Sequence, residues 1–197
     1  LGYVDARDRV KRVLSGSYEY GLNINQTINY IECHDNYTVY DKVSRFFDDE
    51  KMVTRICKLS MALVMISRGI PFINSGEEFL RTKHGIDNTY NLDDSINMLD
   101  WHRKNNYLDV ARYFSDLCLL RKTYKEFTRE DTSVEFIDYY EVLIYKLGDL
   151  TIYINPCIFD HVYNDEMEHE VIFDDSGFVN YKRSVLKIKA FSILITK

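Results

Sequence analysis

Residues 28–36 read INYIECHDN, an apolar, β-branched run that stops at a His-Asp-Asn triplet. Further along, residues 70–78 read IPFINSGEE and repeat this arrangement, with an amide and two acids after the apolar run. In a parallel β/α protein, polar residues that follow a strand lie at the carboxyl edge of the sheet, where such folds keep their sites. The two stretches therefore predict parallel strands with an enzyme site at their ends.

The first two thirds of the chain alternate between strand and helix patterns. Apolar residues spaced by threes and fours predict an amphipathic helix over residues 52–66, which Gly69 and Pro71 end. A second helix is predicted over about residues 107–124. Residues 25–125 thus read strand, helix, strand, long loop, helix, which predicts two β/α units of a parallel sheet.

After residue 133 the apolar period changes from 3.6 to 2, which predicts strands. Two of them flank the pair Gly148-Asp149, a favourable two-residue hairpin turn. The candidate strands cover residues 141–146, 150–154, 170–173, 185–188 and 191–195. The acid-rich residues 160–170 have side chains that can bind a cation, but a solvated loop is the favoured prediction. This part of the chain is therefore expected to be a small antiparallel β-sandwich.

Composition limits the partners that the chain can take. Its 197 residues are 46% hydrophobic and 28% charged, as in globular proteins. The net charge of −6 argues against a nucleic-acid partner, because no basic stripe is present to neutralise phosphates. No membrane partner is expected either, since no apolar run approaches the roughly 20 residues that span a bilayer.

Cysteine usage and the start of the chain bear on the compartment. The four cysteines are widely spaced and lack zinc-ligand spacing, so we expect free thiols in a reducing, cytoplasmic compartment. Spacing alone leaves one disulfide open. The chain begins on Leu1 without a signal-peptide pattern, which favours a piece of a longer protein.

The chemistry of His34 and Asp35 suits a polyhydroxylated substrate. Asp35 can accept two sugar hydroxyls while His34 donates to another, and a carboxylate also stabilises a developing oxocarbenium ion. A His-Asp pair is more often a structural loop, but the preceding strand, Asn36 and the acids Glu77 and Glu78 favour a site. The sequence lacks the phosphate-binding, dinucleotide-binding, serine-hydrolase and zinc-protease signatures.

Three aromatic residues are candidates for stacking on sugar rings, although any single aromatic residue is more often part of a core. They are Tyr37, Tyr90 and Trp101. No cofactor and no metal site is predicted, and the sequence leaves calcium binding open.

Three ordered motifs resemble one family. Residues 28–42, INYIECHDNYTVYDK, resemble the fourth conserved region of type I pullulanases in the α-amylase superfamily. Residues 69–83, GIPFINSGEEFLRTK, resemble the eighth barrel strand of that family and the loop after it, and residues 88–101, NTYNLDDSINMLDW, continue the pattern. The resemblance covers essentially the whole chain, including a C-terminal β-sandwich.

This resemblance implies roles for individual residues. Asp35 matches the catalytic carboxylate that stabilises the transition state, and His34 matches an imidazole bound to the same sugar. The further substrate-binding residues that it implies are Asn36, Glu78, Tyr90 and Asn91. The whole enzyme is expected to hydrolyse α-1,6 linkages of pullulan, glycogen or starch with retention of configuration.

The resemblance also implies an incomplete site. The nucleophile and the general acid/base of the family lie on earlier strands, and no strand before residue 28 supplies them. A closed (β/α)₈ barrel takes about 250 residues. We therefore expect residues 1–128 to be the C-terminal portion of the barrel, residues 129–197 to be the C-terminal β-sandwich, and the chain alone to be inactive.

Three partners follow from this expectation. They are an α-glucan oligosaccharide or polysaccharide, the missing N-terminal part of the barrel, and a second copy, because unpaired strand edges favour self-association. Alternatively, packing of the helices on the sandwich holds the barrel strands in place. A rival interpretation is that the chain is a non-catalytic carbohydrate-binding or interaction module.

Overall fold

A computed structural model describes residues 4–17 and 23–197, so the first residues of the N-terminus lie outside the described part. The helices are α1 (Val4–Ser15), α2 (Val39–Ser44), α3 (Glu50–Ile66), α4 (Asp94–Asn97), α5 (Trp101–Asn106) and α6 (Leu108–Thr123). The strands are β1 (Ile28–Asn29), β2 (Ile70–Pro71), β3 (Val134–Tyr139), β4 (Val142–Leu147), β5 (Leu150–Asn155), β6 (His161–Asp174), β7 (Gly177–Ile188) and β8 (Ser192–Thr196). Among these helices, none has the length and apolar character to cross a membrane.

The two short strands pair in parallel, as the sequence predicts. Ile28 lies opposite Ile70 and Asn29 lies opposite Pro71. The strands are shorter than the apolar runs that predicted them, and in the described residues they form an open pair and not a closed barrel. Gly69 precedes β2 with a positive φ of 109°, and a Cβ there would meet the Thr27 hydroxyl. Only glycine fits this position without strain.

Helices α3 and α6 confirm the two predicted amphipathic helices. Asp49 caps the start of α3, because its carboxylate accepts a hydrogen bond from the Lys51 amide at 3.0 Å. At the other end the guanidinium of Arg121 on α6 donates to the carbonyls of Met65 (2.8 Å) and Ser67 (2.7 Å). A buried cation thus satisfies the last carbonyls of α3 and fixes α6 beside it.

The C-terminal strands form one antiparallel sheet in the order β3-β4-β5-β8-β6-β7. β8 is the last strand in sequence, yet it lies in the middle of the sheet, between β5 and β6. The hairpin at Gly148-Asp149 is confirmed. In place of two separate sheets, a single sheet curls, since Ile144 of β4 and Leu186 of β7 share an apolar cluster although their strands are not neighbours.

The sequence-based prediction for the acid-rich segment is wrong. Residues 160–170 do not form a solvated loop, because β6 runs from His161 through them and pairs with β7. The register shifts between Asn164 and His169, which marks an irregularity in the pairing. Backbone pairing thus fixes the segment while side chains such as those of Glu166 and Glu168 stay exposed.

The helices and the sheet share one hydrophobic core. Side chains of α3 and α6 pack on the face of the sheet that β4, β5 and β8 present. Buried members of this core include Cys57, Ile66, Leu117, Tyr145, Ile152, Ile193 and Ile195. The helices therefore pack on the sheet, as one of the two sequence-based alternatives expects, and pairing of the strands with a second copy stays a prediction.

Candidate functional site

The His-Asp-Asn triplet lies in the loop between β1 and α2. The His34 imidazole and the Asp35 carboxylate are both exposed, with His34 Nε2 at 3.4 Å from Asp35 Oδ1. Asn36 has a positive φ of 59°, a left-handed conformation that asparagine tolerates better than most residues. The loop therefore turns sharply and presents an imidazole and a carboxylate side by side to solvent.

A buried carboxylate supports this loop from below. Glu32 accepts hydrogen bonds from the Val39 amide at 2.5 Å and from the Asn74 side chain at 3.0 Å. The first bond fixes the start of α2, which Thr38 also caps by accepting from the Asp41 amide at 3.0 Å. The second bond joins the segment that follows β1 to the segment that follows β2.

A second buried acid lies beside the first. Glu77 is only 4% exposed; its Oε2 accepts from the Asn74 amide at 3.3 Å, and its Oε1 has no hydrogen-bond partner among the described residues. Burial, together with the nearby carboxylate of Glu32, raises the pKa of Glu77 to about 8. Burial also raises the pKa of Glu32, against the hydrogen bonds that stabilise its charge. Glu77 therefore holds a proton at neutral pH.

Lys83 connects the His-Asp loop to the segment after β2. Its buried ammonium group donates to the Asp87 carbonyl at 2.8 Å and to the His34 carbonyl at 3.5 Å. The Asp41 carboxylate of α2 accepts from the Lys83 amide at 2.6 Å and from the Thr82 hydroxyl. These contacts hold the backbone that carries the exposed imidazole.

Three other predicted site residues lie in the segment that follows β2 in the chain. Glu78 is half-buried, and its carboxylate accepts from the Gly76 amide at 2.9 Å. Tyr90 and Asn91 are exposed on the loop before α4. In the described part of the chain, no hydrogen bond or ring contact joins these three residues to His34 or Asp35. The structure therefore brings His34 and Asp35 together and shows no such contact for Glu78, Tyr90 and Asn91.

Two of the three aromatic candidates, Tyr37 and Trp101, have partners within the chain. The Tyr37 hydroxyl accepts from Arg45 at 2.5 Å, and the Arg45 guanidinium lies 4.8 Å from the centre of the Tyr37 ring. The Trp101 ring packs at 5.5 Å from the ring of Phe79 but stays 60% exposed. Of the three, Tyr90 and Trp101 offer most surface to a ligand.

The sequence analysis predicts the exposed His34 and Asp35 but does not identify the buried residues that support them, Glu32, Asn74 and Glu77. Glu32 and Asn74 each lie three residues after a strand, so the position of a polar residue after an apolar run could have identified them. The choice between Glu77 and Glu78 could not be made from sequence, because two consecutive acids after a strand carry no periodic signal. Their burial depends on the turn that follows Gly76.

One group of metal-ligand side chains is present in the described residues. Ligand atoms of Cys33, His34 and Asp35 lie within 4.8 Å of one another. A thiolate and an imidazole suit zinc, whereas calcium prefers oxygen ligands only. The three residues are consecutive and largely exposed, so we assign no metal to them.

Relatives of known identity were found by sequence. The chain is 33% identical to the pullulanase of Bacillus subtilis (strain 168) over 172 residues, which cover 78% of the chain and 24% of that protein. It is 40% identical to the isoamylase of a Flavobacterium species over 70 residues, which cover 36% of the chain and 9% of that protein. No family model matches the chain.

Solved structures with the same fold agree with these relatives. The structure of pullulanase from Anoxybacillus sp. LM18-11 complexed with maltotetraose superposes with a TM-score of 0.90 at 27% identity, covering 99% of this chain and 31% of the other. Pullulanase from Bacillus acidopullulyticus gives a TM-score of 0.89 at 28% identity, covering 100% and 27%. The chain thus spans about a quarter to a third of the length of the pullulanases that it matches.

The fold and the matched proteins define the class: the chain is related to the glycoside hydrolases. Within that class it is related to the pullulanases, of which it corresponds to a part. The resemblance that residues 28–42, 69–83 and 88–101 indicate is thereby confirmed.

Proposed function

We propose that the chain is the C-terminal portion of the catalytic region of a pullulanase-type debranching glycoside hydrolase. Residues 1–128 then supply the last two strands and helices of a (β/α)₈ barrel, and residues 129–197 supply the C-terminal β-domain. The whole enzyme would cleave α-1,6 linkages of pullulan, glycogen or starch. The chain by itself lacks a nucleophile and a general acid/base and would be inactive.

The parallel pairing of β1 and β2 carries this proposal. Ile28 and Ile70 face each other across the pair, and the polar loop that follows each strand lies at the same edge. This is the edge at which parallel barrels place their catalytic residues. The two buried acids and Asn74 join these loops, so the exposed His34 and Asp35 are held by a built scaffold.

The exposed pair would act on the sugar at the point of cleavage. Asp35 would place negative charge near the oxocarbenium-like transition state, and His34 would donate to a hydroxyl of the same sugar. Retaining hydrolysis also needs two carboxyl groups about 5 Å apart, a nucleophile and an acid/base. These would come from the part of the enzyme that precedes this chain.

The substrate class and the structural partner have separate support. A matched pullulanase was solved in complex with maltotetraose, which supports an α-glucan as the ligand. On one face of the parallel pair, Ile28, Tyr30, Ile70 and Phe72 are exposed, with the ring centres of Tyr30 and Phe72 6.1 Å apart. An apolar surface at this place suits the interior of a barrel that the missing strands complete.

A segment exchange tests the proposal. The matching segment of the Bacillus subtilis pullulanase, to which this chain is 33% identical, is replaced by this chain, and reducing-sugar release from pullulan is measured. We expect the hybrid to hydrolyse pullulan and the chain alone to release nothing above background. A hybrid that folds and binds maltotetraose without hydrolysis would contradict a catalytic role for the segment.

The rival interpretation, a carbohydrate-binding or interaction module, makes a different prediction. In a hybrid that carries such a module, reducing-sugar release from pullulan would not depend on Asp35. Reducing-sugar release by the purified chain that survives Asp35→Ala would contradict both interpretations, because another acid of the chain would then serve as the nucleophile.

A further inference from the structure

A cleft of about 600 Å³ lies between the helices and the sheet, apart from the strand-end loop. The first half of α3, the start of α6 and the turns around β6, β7 and β8 form its walls. This volume lies within the roughly 300–1,000 Å³ of small-molecule sites, which often occur where two parts of a fold meet. None of the predicted site residues lines it.

The floor of the cleft is fixed by polar contacts. The half-buried Lys58 donates to the Asp175 carbonyl at 2.7 Å, and its ammonium lies 4.3 Å from the centre of the fully buried Tyr113 ring. The Asp175 carboxylate forms an ion pair with Lys189 at 3.0 Å. Donors and acceptors at the floor are therefore held in place before a ligand arrives, which lowers the entropic cost of binding.

Glu50, on a wall of the cleft, is a second polar group that hydrogen bonds hold in place. Glu50, in the first turn of α3, accepts from the Tyr107 hydroxyl at 2.5 Å and from the Tyr40 hydroxyl at 3.0 Å. Tyr107 lines the cleft together with Phe191, and both rings are half-buried, so each leaves part of its surface open. Aromatic surface next to fixed polar groups is the combination that sugar rings require.

The charges of the lining nearly cancel. The lining carboxylates are those of Asp49, Glu50, Asp109 and Asp175, and the lining cations are Lys51, Arg55 and Lys58. An anion would meet four carboxylates and a cation would meet three positive groups, so neither gains a clear electrostatic advantage. A neutral ligand with many hydroxyl groups can use both kinds of partner, because each hydroxyl donates and accepts.

We propose that this cleft is a second oligosaccharide site that binds a neutral gluco-oligosaccharide independently of the His34-Asp35 loop. The choice of an α-glucan rests on the proposed function, whereas the site itself rests on the geometry of the cleft. A chain bound here would be held on the surface formed by α3, α6 and the sheet, outside the parallel strand pair.

An NMR titration of the chain with maltotetraose tests this inference. We expect saturable shifts of the amide signals of Tyr107 and Phe191. The double variant Arg55→Ala/Asp109→Ala removes one cation and one carboxylate from the lining without changing the net charge. It should weaken the binding that these signals report about tenfold, as expected for two lost hydrogen bonds.

Two controls separate this site from other effects. The double variant Lys182→Ala/Glu168→Ala removes an exposed ion pair between β7 and β6, in which Lys182 Nζ lies 3.9 Å from Glu168 Oε2. It should leave the affinity of the cleft for maltotetraose unchanged. Circular dichroism of both double variants should match that of the parent. His34→Ala should leave the shifts at the cleft intact.

The outcomes distinguish the cleft from the proposed function. Absence of saturable shifts at Tyr107 and Phe191 overturns the second site, even if maltotetraose shifts the signals of residues 34–36. Shifts at the cleft alone support the second site while counting against glucan binding at the strand ends. Shifts at the cleft with inorganic phosphate but none with maltotetraose would overturn the inference in favour of an anion site.

Discussion

Glu77 is a buried acid whose protonation makes the stability of the folded chain depend on pH. Its pKa of about 8 in the folded chain lies far above its ordinary value of 4.5, because burial and the neighbouring Glu32 disfavour the charge. The folded state therefore holds a proton that the unfolded state releases. The resulting stabilisation is fully present below pH 4.5, falls as pH rises, and is lost once pH passes about 8.

Replacing this acid should remove that pH dependence. We expect Glu77→Gln to flatten the fall in the free energy of unfolding between pH 5 and pH 8, and at pH 8 to be more stable than the parent by on the order of 1 kcal/mol or more. Urea unfolding at several pH values measures this. Glu78→Gln, which changes a half-buried neighbour, is the matched control. A Glu77→Gln chain that is less stable than the parent at pH 8 would contradict a protonated Glu77.

Asp35 is expected to act on the transition state more than on the bound substrate. In the active hybrid with the Bacillus subtilis pullulanase, Asp35→Asn should lower kcat far more than it raises KM. His34→Ala should change both, since the imidazole would hold the sugar in both states. Asp48→Asn, an exposed acid beyond α2, is the control. A kcat within about threefold of the parent, under roughly 1 kcal/mol of barrier, would make Asp35 a loop residue only.

At the scale of elements, the turn between β6 and β7 docks on α6 through a glycine. Gly177 has a positive φ of 107°, and a Cβ there would lie 2.1 Å from the Asp116 carboxylate, which also accepts from the Phe178 amide at 3.4 Å. We expect Gly177→Ala to lower the free energy of unfolding by about 2 kcal/mol or more, from backbone strain and displacement of that carboxylate.

A matched glycine separates the two causes. Gly85 also has a positive φ, of 75°, but nothing lies near the position of its Cβ. Gly85→Ala should therefore cost only the backbone strain, roughly 1 kcal/mol. Urea unfolding compares the two variants. Equal losses would show that Asp116 moves aside without cost and that the turn does not depend on this close contact.

The sequence predicts the regular elements well and their environment less well. The periods of apolar residues identify α3, α6 and the β4–β5 hairpin, because each has one face buried and the other exposed. The strand character of residues 161–170 is missed, since acids exposed along a strand resemble a loop in composition. Neither the curl of the sheet nor the burial of Glu77 follows from local pattern, because both depend on contacts between distant residues.

In the candidate site, too, the residues with a local sequence pattern are predicted and those that depend on distant contacts are not. His34, Asp35 and Asn36 are predicted from a strand that ends in polar residues, and their roles follow from the family resemblance. Which polar residues are buried and support the loop is found only in three dimensions, because a carboxylate that accepts from a distant amide has no local signature. Lys83 is an example: its contact with the His34 carbonyl joins residues 49 positions apart.

At the scale of the whole molecule, the parallel pair leaves an apolar face open. Ile28 is 61% exposed and Phe72 is 45% exposed, and within the described residues β1 and β2 pair only with each other. We therefore expect the isolated chain to self-associate through this face. Size-exclusion chromatography with light scattering should give a mass above the 23.4 kDa of one chain, increasing with concentration.

Charged substitutions test the face itself. Ile28→Lys/Phe72→Lys should shift the population towards 23.4 kDa, whereas Val162→Lys, at an exposed apolar position of β6, should not. A parent chain that stays at the mass of one copy over the whole concentration range would show that two barrel strands can remain unpaired without association.

The position of β8 has a consequence for synthesis in the cell. This strand completes the middle of the sheet and contributes Ile193 and Ile195 to the core that α3 and α6 share. On the ribosome, the helices emerge well before β8, so the sheet that covers their apolar faces stays incomplete until residue 196 has left the exit tunnel. Until then the nascent chain exposes apolar surface of the kind that chaperones recognise, and this sheet can be completed only after β8 has emerged.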